Sequence, residues 1–159
     1  MSDYDLTVSD TEIACLSLPL LDKNLLVPTV TVAEMAPIQP FDILANTPDW
    51  FLGYYPWRDL RVPIVAYETL NHVSAPKLGA RSRVAILHNA GVSDKLLFIG
   101  ILTQDIPRMV KVEEPNIIQD TEAESSAYDL MAVNVEAETF YMPNLAAIEE
   151  AILSLNLVR

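Results

Sequence analysis

A mainly β protein is what the sequence predicts, and three observations carry that reading. Seven short runs rich in β-branched and aromatic residues recur along the chain, at 13–18, 25–32, 60–67, 83–88, 95–102, 109–112 and 131–135. Turn chemistry separates them, as at Asp22-Lys23-Asn24 and Asn89-Ala90-Gly91. Helical periodicity is confined to the C-terminal end, so small barrels or a sandwich fit better than a parallel sheet flanked by helices.

Within the runs, Pro28 and Pro63 cannot donate a ladder hydrogen bond, so each is expected at a sheet edge or at a bend. Eleven prolines against four glycines favour stiff, shaped connections, and no internal repeat interrupts them. The terminal segment opens on Asn144, a good acceptor for the free amides of a first turn, and Leu145, Ile148, Ile152 and Leu155 then form one apolar stripe. Glu149 and Glu150 are expected on the opposite, solvated side.

At 159 residues, half of them apolar, the chain is expected to be a single domain, 1–159, with residues 1–11 a flexible N-terminal tail. Residues 1–10 are polar and acidic, without the basic start and apolar stretch of an export signal. No apolar run is long enough to span a bilayer. A soluble, cytoplasmic protein without membrane insertion is expected, and the lone Cys15 is consistent with a reducing compartment.

Twenty-two acids against ten bases give a net charge of −12, which argues against nucleic acid as a partner. The bases Arg58, Arg61, Lys77, Arg81 and Arg83 gather in the middle third, while 113–129 holds six acids and no base. That asymmetry points either to a docking face or, more plainly, to a solvated acidic loop.

Catalytic chemistry finds little support. His72 and His88 stand at no ligand spacing from each other, from Cys15 or from paired carboxylates, so neither a metal nor another cofactor is expected. A Cys15–His88 dyad would need a reactive thiol, but Cys15 lies in an apolar strand where burial keeps sulfur inert. Four glycines leave no phosphate cradle, and adjacent acids such as Glu113-Glu114 diverge. The expectation is a protein that is not an enzyme.

One stretch carries a specific likeness. Residues 46–65, reading NTPDWFLGYYPWRDLRVPIV, resemble the signature of the CheW family of chemotaxis coupling proteins, with Pro48, Gly53, Arg58 and Pro63 matching its spacing without a gap. Val32-Ala33-Glu34-Met35 and the strand around Gly100 are similar to flanking family segments. The resemblance implies a CheW-like fold: two small five-stranded SH3-like barrels around a shared apolar core, with a C-terminal helix. It implies a non-enzymatic adaptor in signal transduction through a two-component system. The partners implied are the regulatory domain of a CheA-type histidine kinase and the cytoplasmic tip of a methyl-accepting chemoreceptor. The aromatic version of the turn is closest to ChpC-type proteins of type IV pilus twitching motility. A β-barrel scaffold for protein-protein interaction outside chemosensing is the alternative.

By matched position, Arg58, Val32 and Glu34 are the implied partner-binding residues. Arg58 would offer a planar charged fork to a carboxylate, and an internal ion pair with Asp59 or Glu34 is the competing role. Val32 is either an apolar contact or plain core. Tyr55 and Trp57 flank Arg58 and are expected to be exposed anchors at a partner surface. Three positions depart from the pattern. Asp59 replaces a glycine, which is expected to cost the turn its glycine conformation and to neutralise part of Arg58. Ala66 replaces an aspartate, and Trp57 replaces an aliphatic residue.

Overall fold

The computed structural model describes residues 12–157; the expected tail, residues 1–11, lies outside the described residues. Among the described residues, eleven strands form two sheets. The first sheet contains β1 (Glu12–Pro19), β2 (Asn24–Pro28), β8 (Arg108–Glu113), β9 (Ile117–Gln119), β10 (Asp129–Val135) and β11 (Glu138–Pro143), in the order β8-β1-β2-β11-β10-β9. The second contains β3 (Val32–Pro37), β4 (Phe51–Trp57), β5 (Leu60–Val65), β6 (Arg83–His88) and β7 (Phe98–Thr103), in the order β3-β6-β7-β5-β4. The described residues also hold two α-helices, α1 (Tyr67–Leu70) and α2 (Leu145–Leu153).

Each sheet has its own filled interior. In the first, Cys15, Leu26, Val110, Val112, Val133, Val135 and Phe140 cluster, drawn from β1, β2, β8, β10 and β11. Its outer strands β8 and β9 are joined by a 3-10 turn at Glu114–Asn116, which brings the two edges together. The expected five strands become six because of the three-residue β9, which pairs with β10.

The second sheet closes between β3 and β4. Asp42, just beyond β3, exchanges backbone hydrogen bonds with Tyr54 at 2.8 and 3.0 Å. Gly53 permits that approach: its φ is +131°, and a Cβ there would sit 2.5 Å from the Asp42 carbonyl oxygen. Gly53→Ala is expected to cost about 1–3 kcal/mol of stability, measurable by urea unfolding, because strain and clash coincide.

Between the two bodies lies a third cluster with Leu18, Leu25, Val65, Tyr67, Leu87 and Ile101, joined by Ile148 and Ile152 of α2. The terminal helix therefore packs through Leu145, Ile148 and Ile152 of its predicted stripe, while Leu155 falls beyond its last turn; Asn144 Oδ1 accepts from the Ala147 amide at 3.1 Å. Glu149 is a correction. It is buried rather than solvated, accepting from the amides of Ala90 and Val92, while its neighbour Glu150 stays exposed.

Polar contacts also cross this junction through α1. Asp129 sits 2.8 Å from the Lys23 ammonium, and the Tyr67 hydroxyl lies 2.6 Å from Asp129 Oδ1 and 2.7 Å from the Tyr128 carbonyl. Burial pushes the Tyr67 hydroxyl far above its ordinary pKa, with the Asp129 carboxylate adding to the shift. Asp129 thus departs from the solvated-loop reading of 113–129.

The prolines behave as their missing N–H requires. Pro28 ends β2, and a 3-10 turn at Thr29–Thr31 then leads into β3, so the run 25–32 is broken there. Pro63 pairs with Tyr54 of β4, but the parallel pairing of β5 with β7 begins only at Ile64. Its other side is therefore a local edge.

Candidate functional site

The β4–β5 hairpin pairs Trp57 with Leu60, leaving Arg58 and Asp59 as a two-residue loop. Both have positive φ, 48° and 63°, as a type I′ turn requires. The predicted loss of the glycine conformation at Asp59 is thus corrected: aspartate is among the few residues that tolerate it, and the hairpin register imposes it. The β10–β11 hairpin repeats the arrangement, with Glu136 and Ala137 at 49° and 70°.

Beneath this tip the seam of the second sheet gathers four of the five predicted residues, Glu34, Tyr55, Trp57 and Arg58. Glu34 projects from β3, where a bulge between Val32 and Glu34 re-aims the strand. Its Oε1 accepts from the Trp57 indole Nε1 at 2.8 Å and lies 3.6 Å from the Arg58 guanidinium. Arg58 also rests over the Trp57 ring, 4.5 Å from its centroid. The Tyr55 hydroxyl donates to the Pro37 carbonyl at 2.7 Å, and burial, with the Glu34 charge behind it, pushes its pKa up.

Tyr55 and Trp57 are not exposed anchors. They are 2% and 8% exposed and belong to the interior of the second sheet with Val62, Ile64 and Val84. Residues two apart on a strand share a face, so both point inward while Pro56 points out. Val32 packs from β3 against the cluster between the bodies, half-buried and apart from the Arg58 group. Arg58 stands clearest, its side chain 67% exposed against 40% for Glu34, so their pair is a surface one.

The residues weighed for catalysis are dispersed. Cys15 is buried inside the first sheet, where burial raises its thiol pKa, whereas His88 ends β6 of the second sheet against the Phe98 ring. His72 carries the left-handed residue that terminates α1. Among the described residues, no group of three His, Cys, Asp or Glu side chains could hold a metal ion. Nor is any described helix long and apolar enough to cross a membrane.

Comparison with known proteins decides the lineage. The model of the CheW-like domain family matches residues 14–148, most of the chain. This chain belongs to the CheW-like domain family. No curated protein matches its sequence. The crystal structure of the scaffolding protein TtCheW from Thermoanaerobacter tengcongensis shares the CheW-like fold, with a TM-score of 0.71 over 84% of each chain at 12% identity.

Within this CheW-like framework, sequence reasoning overlooked Asp42 and noted Arg61 only as one of the bases of the middle third. The Arg61 guanidinium stacks over the Tyr54 ring at 4.3 Å and lies 3.7 Å from Asp42, so a second cation borders the tip. The signal was available, since Arg61 lies three residues from Arg58, on the strand that leaves the turn. Ala66 stands at the N-cap of α1 and supplies no side-chain cap, unlike the aspartate usual there.

Proposed function

We propose that this CheW-like chain is a non-enzymatic adaptor that couples chemoreceptors to a CheA-type histidine kinase in the cytoplasm. The observation that carries the reading is the Arg58 tip: an exposed guanidinium on a rigid hairpin, held by Glu34 and a buried tryptophan, in a chain of this family. An exposed pair with Glu34 is worth little, about 0.2–1 kcal/mol, so a partner carboxylate can displace it at small cost. Family membership and the likeness to a scaffolding protein support the same reading.

The kinase regulatory domain and the receptor's cytoplasmic tip are the partners, with Arg58 and Glu34 at the contact. Tyr55 and Trp57 act from beneath by holding the tip. The narrower role is a ChpC-type one in type IV pilus chemosensing and twitching motility. Co-purification from cells tests it: recovery of a pilus-system kinase supports that role, and recovery of a flagellar one refutes it.

Arg58→Ala is expected to weaken binding to the kinase regulatory domain or the receptor tip about tenfold, or about 1.4 kcal/mol. Titration calorimetry measures the affinity, and a parallel melt should shift by no more than about 3 °C. A collapsed melting temperature with unchanged affinity per folded molecule would make Arg58 purely structural.

A further inference from the structure

β5 and β7 pair only at Ile64–Gly100 and Val65–Ile101, so their first halves diverge. Between them opens a cleft of about 250 Å³, walled by residues 59–62 on one side and 95–98 on the other. That is below the roughly 300–1,000 Å³ of small-molecule sites and suits a side chain better than a cofactor.

The far wall is held with unusual care. Within loop 89–97, the Asn89 side chain donates to the Leu96 carbonyl at 2.8 Å and its amide donates to the Leu97 carbonyl at 3.0 Å. From α2, the buried Glu149 carboxylate accepts from the Ala90 and Val92 amides. A carboxylate removed from water is tolerated only when its hydrogen bonds are made, and this one is committed wholly to one surface loop.

What the loop presents is amphipathic. Leu97 is 52% exposed and faces Leu60, 39% exposed, across the mouth, while Leu96 beneath is buried. Arg61 and Lys95 border the opening, with Asp59 as the one acid of its lining, on a chain of net charge −12. The complement of such a surface is an apolar side chain beside a carboxylate.

We infer that this cleft is a second recognition surface, continuous with the Arg58 tip, which receives a leucine-class side chain flanked by a carboxylate on the protein partner. Glu149 is a positioning residue that sets the loop forming its far wall. The inference rests on the adaptor reading, because the partner is the one that the Arg58 tip would meet.

The test uses the full chain and the isolated kinase regulatory domain in titration calorimetry. Leu97→Asp and Lys95→Glu, both at exposed positions, should each weaken binding at least about fivefold, with melting temperatures within about 2 °C of the parent. Glu149→Gln should speed hydrogen exchange at the Ala90 and Val92 amides and weaken binding per folded molecule. If Leu97→Asp and Lys95→Glu bind like the parent while Arg58→Ala does not, the cleft is overturned and the adaptor reading stands. If the parent itself does not bind, both fall.

Discussion

Trp57→Ala is expected to remove about 3–5 kcal/mol of stability, a large share of the roughly 5–15 kcal/mol that holds a domain together. The indole is nearly fully buried and meets Phe98 edge-on, with ring centroids 4.8 Å apart. Truncation leaves a cavity among residues from β4, β5 and β6 that cannot all collapse inward. It also strips Glu34 of its indole donor and Arg58 of the ring beneath it. The melting temperature should fall by about 6–20 °C. Trp57→Phe keeps much of the packing but not the donor, so it should cost less while still loosening Glu34. A Trp57→Ala protein that melts like the parent and merely loses partner binding would restore the exposed-anchor reading.

Asp129→Ala should be comparably severe, about 3–5 kcal/mol, because it strands a charge. The Lys23 side chain is 7% exposed, and its remaining neighbours are the Ser126 hydroxyl and the Tyr141 ring, 4.3 Å to the centroid. The Ser126 amide, which donates to Asp129 at 2.8 Å, would lose its acceptor as well. Replacing both partners gives the opposite expectation. Lys23→Met with Asp129→Leu should recover most of the loss, since no ion is then left without its counterpart. Urea titrations of the two single variants and the double variant measure the coupling, and simple additivity would refute it.

How much of this was legible beforehand depends on the range of each signal. The run 83–88 coincides with β6, and 13–18 lies within β1, because alternation and β-branching are local. β4 was not among the predicted runs because Gly53 and Pro56 interrupt its β-branched and aromatic pattern; they serve closure and an outward face. β11 was missed because Glu136-Ala137 makes a two-residue turn without glycine or asparagine. The Arg58–Glu34 pair was visible only as one of two internal pairings competing with a partner-binding role for Arg58. Strand alternation alone could have placed Tyr55 and Trp57 inside. By contrast, the burial of Glu149 depends on a loop some sixty residues away in sequence, beyond any local pattern.

Placing all of β3 to β7 between β2 and β8 has a consequence for how the molecule is made. As the chain emerges from the ribosome, β1 and β2 must wait for β8 and β11, and Cys15 meets Val110 only after roughly a hundred further residues have been added. The inserted body can assemble first from its own strands. Until then the leading hairpin has both flanks open to wrong pairing, so nascent-chain quality control should act most strongly on this segment.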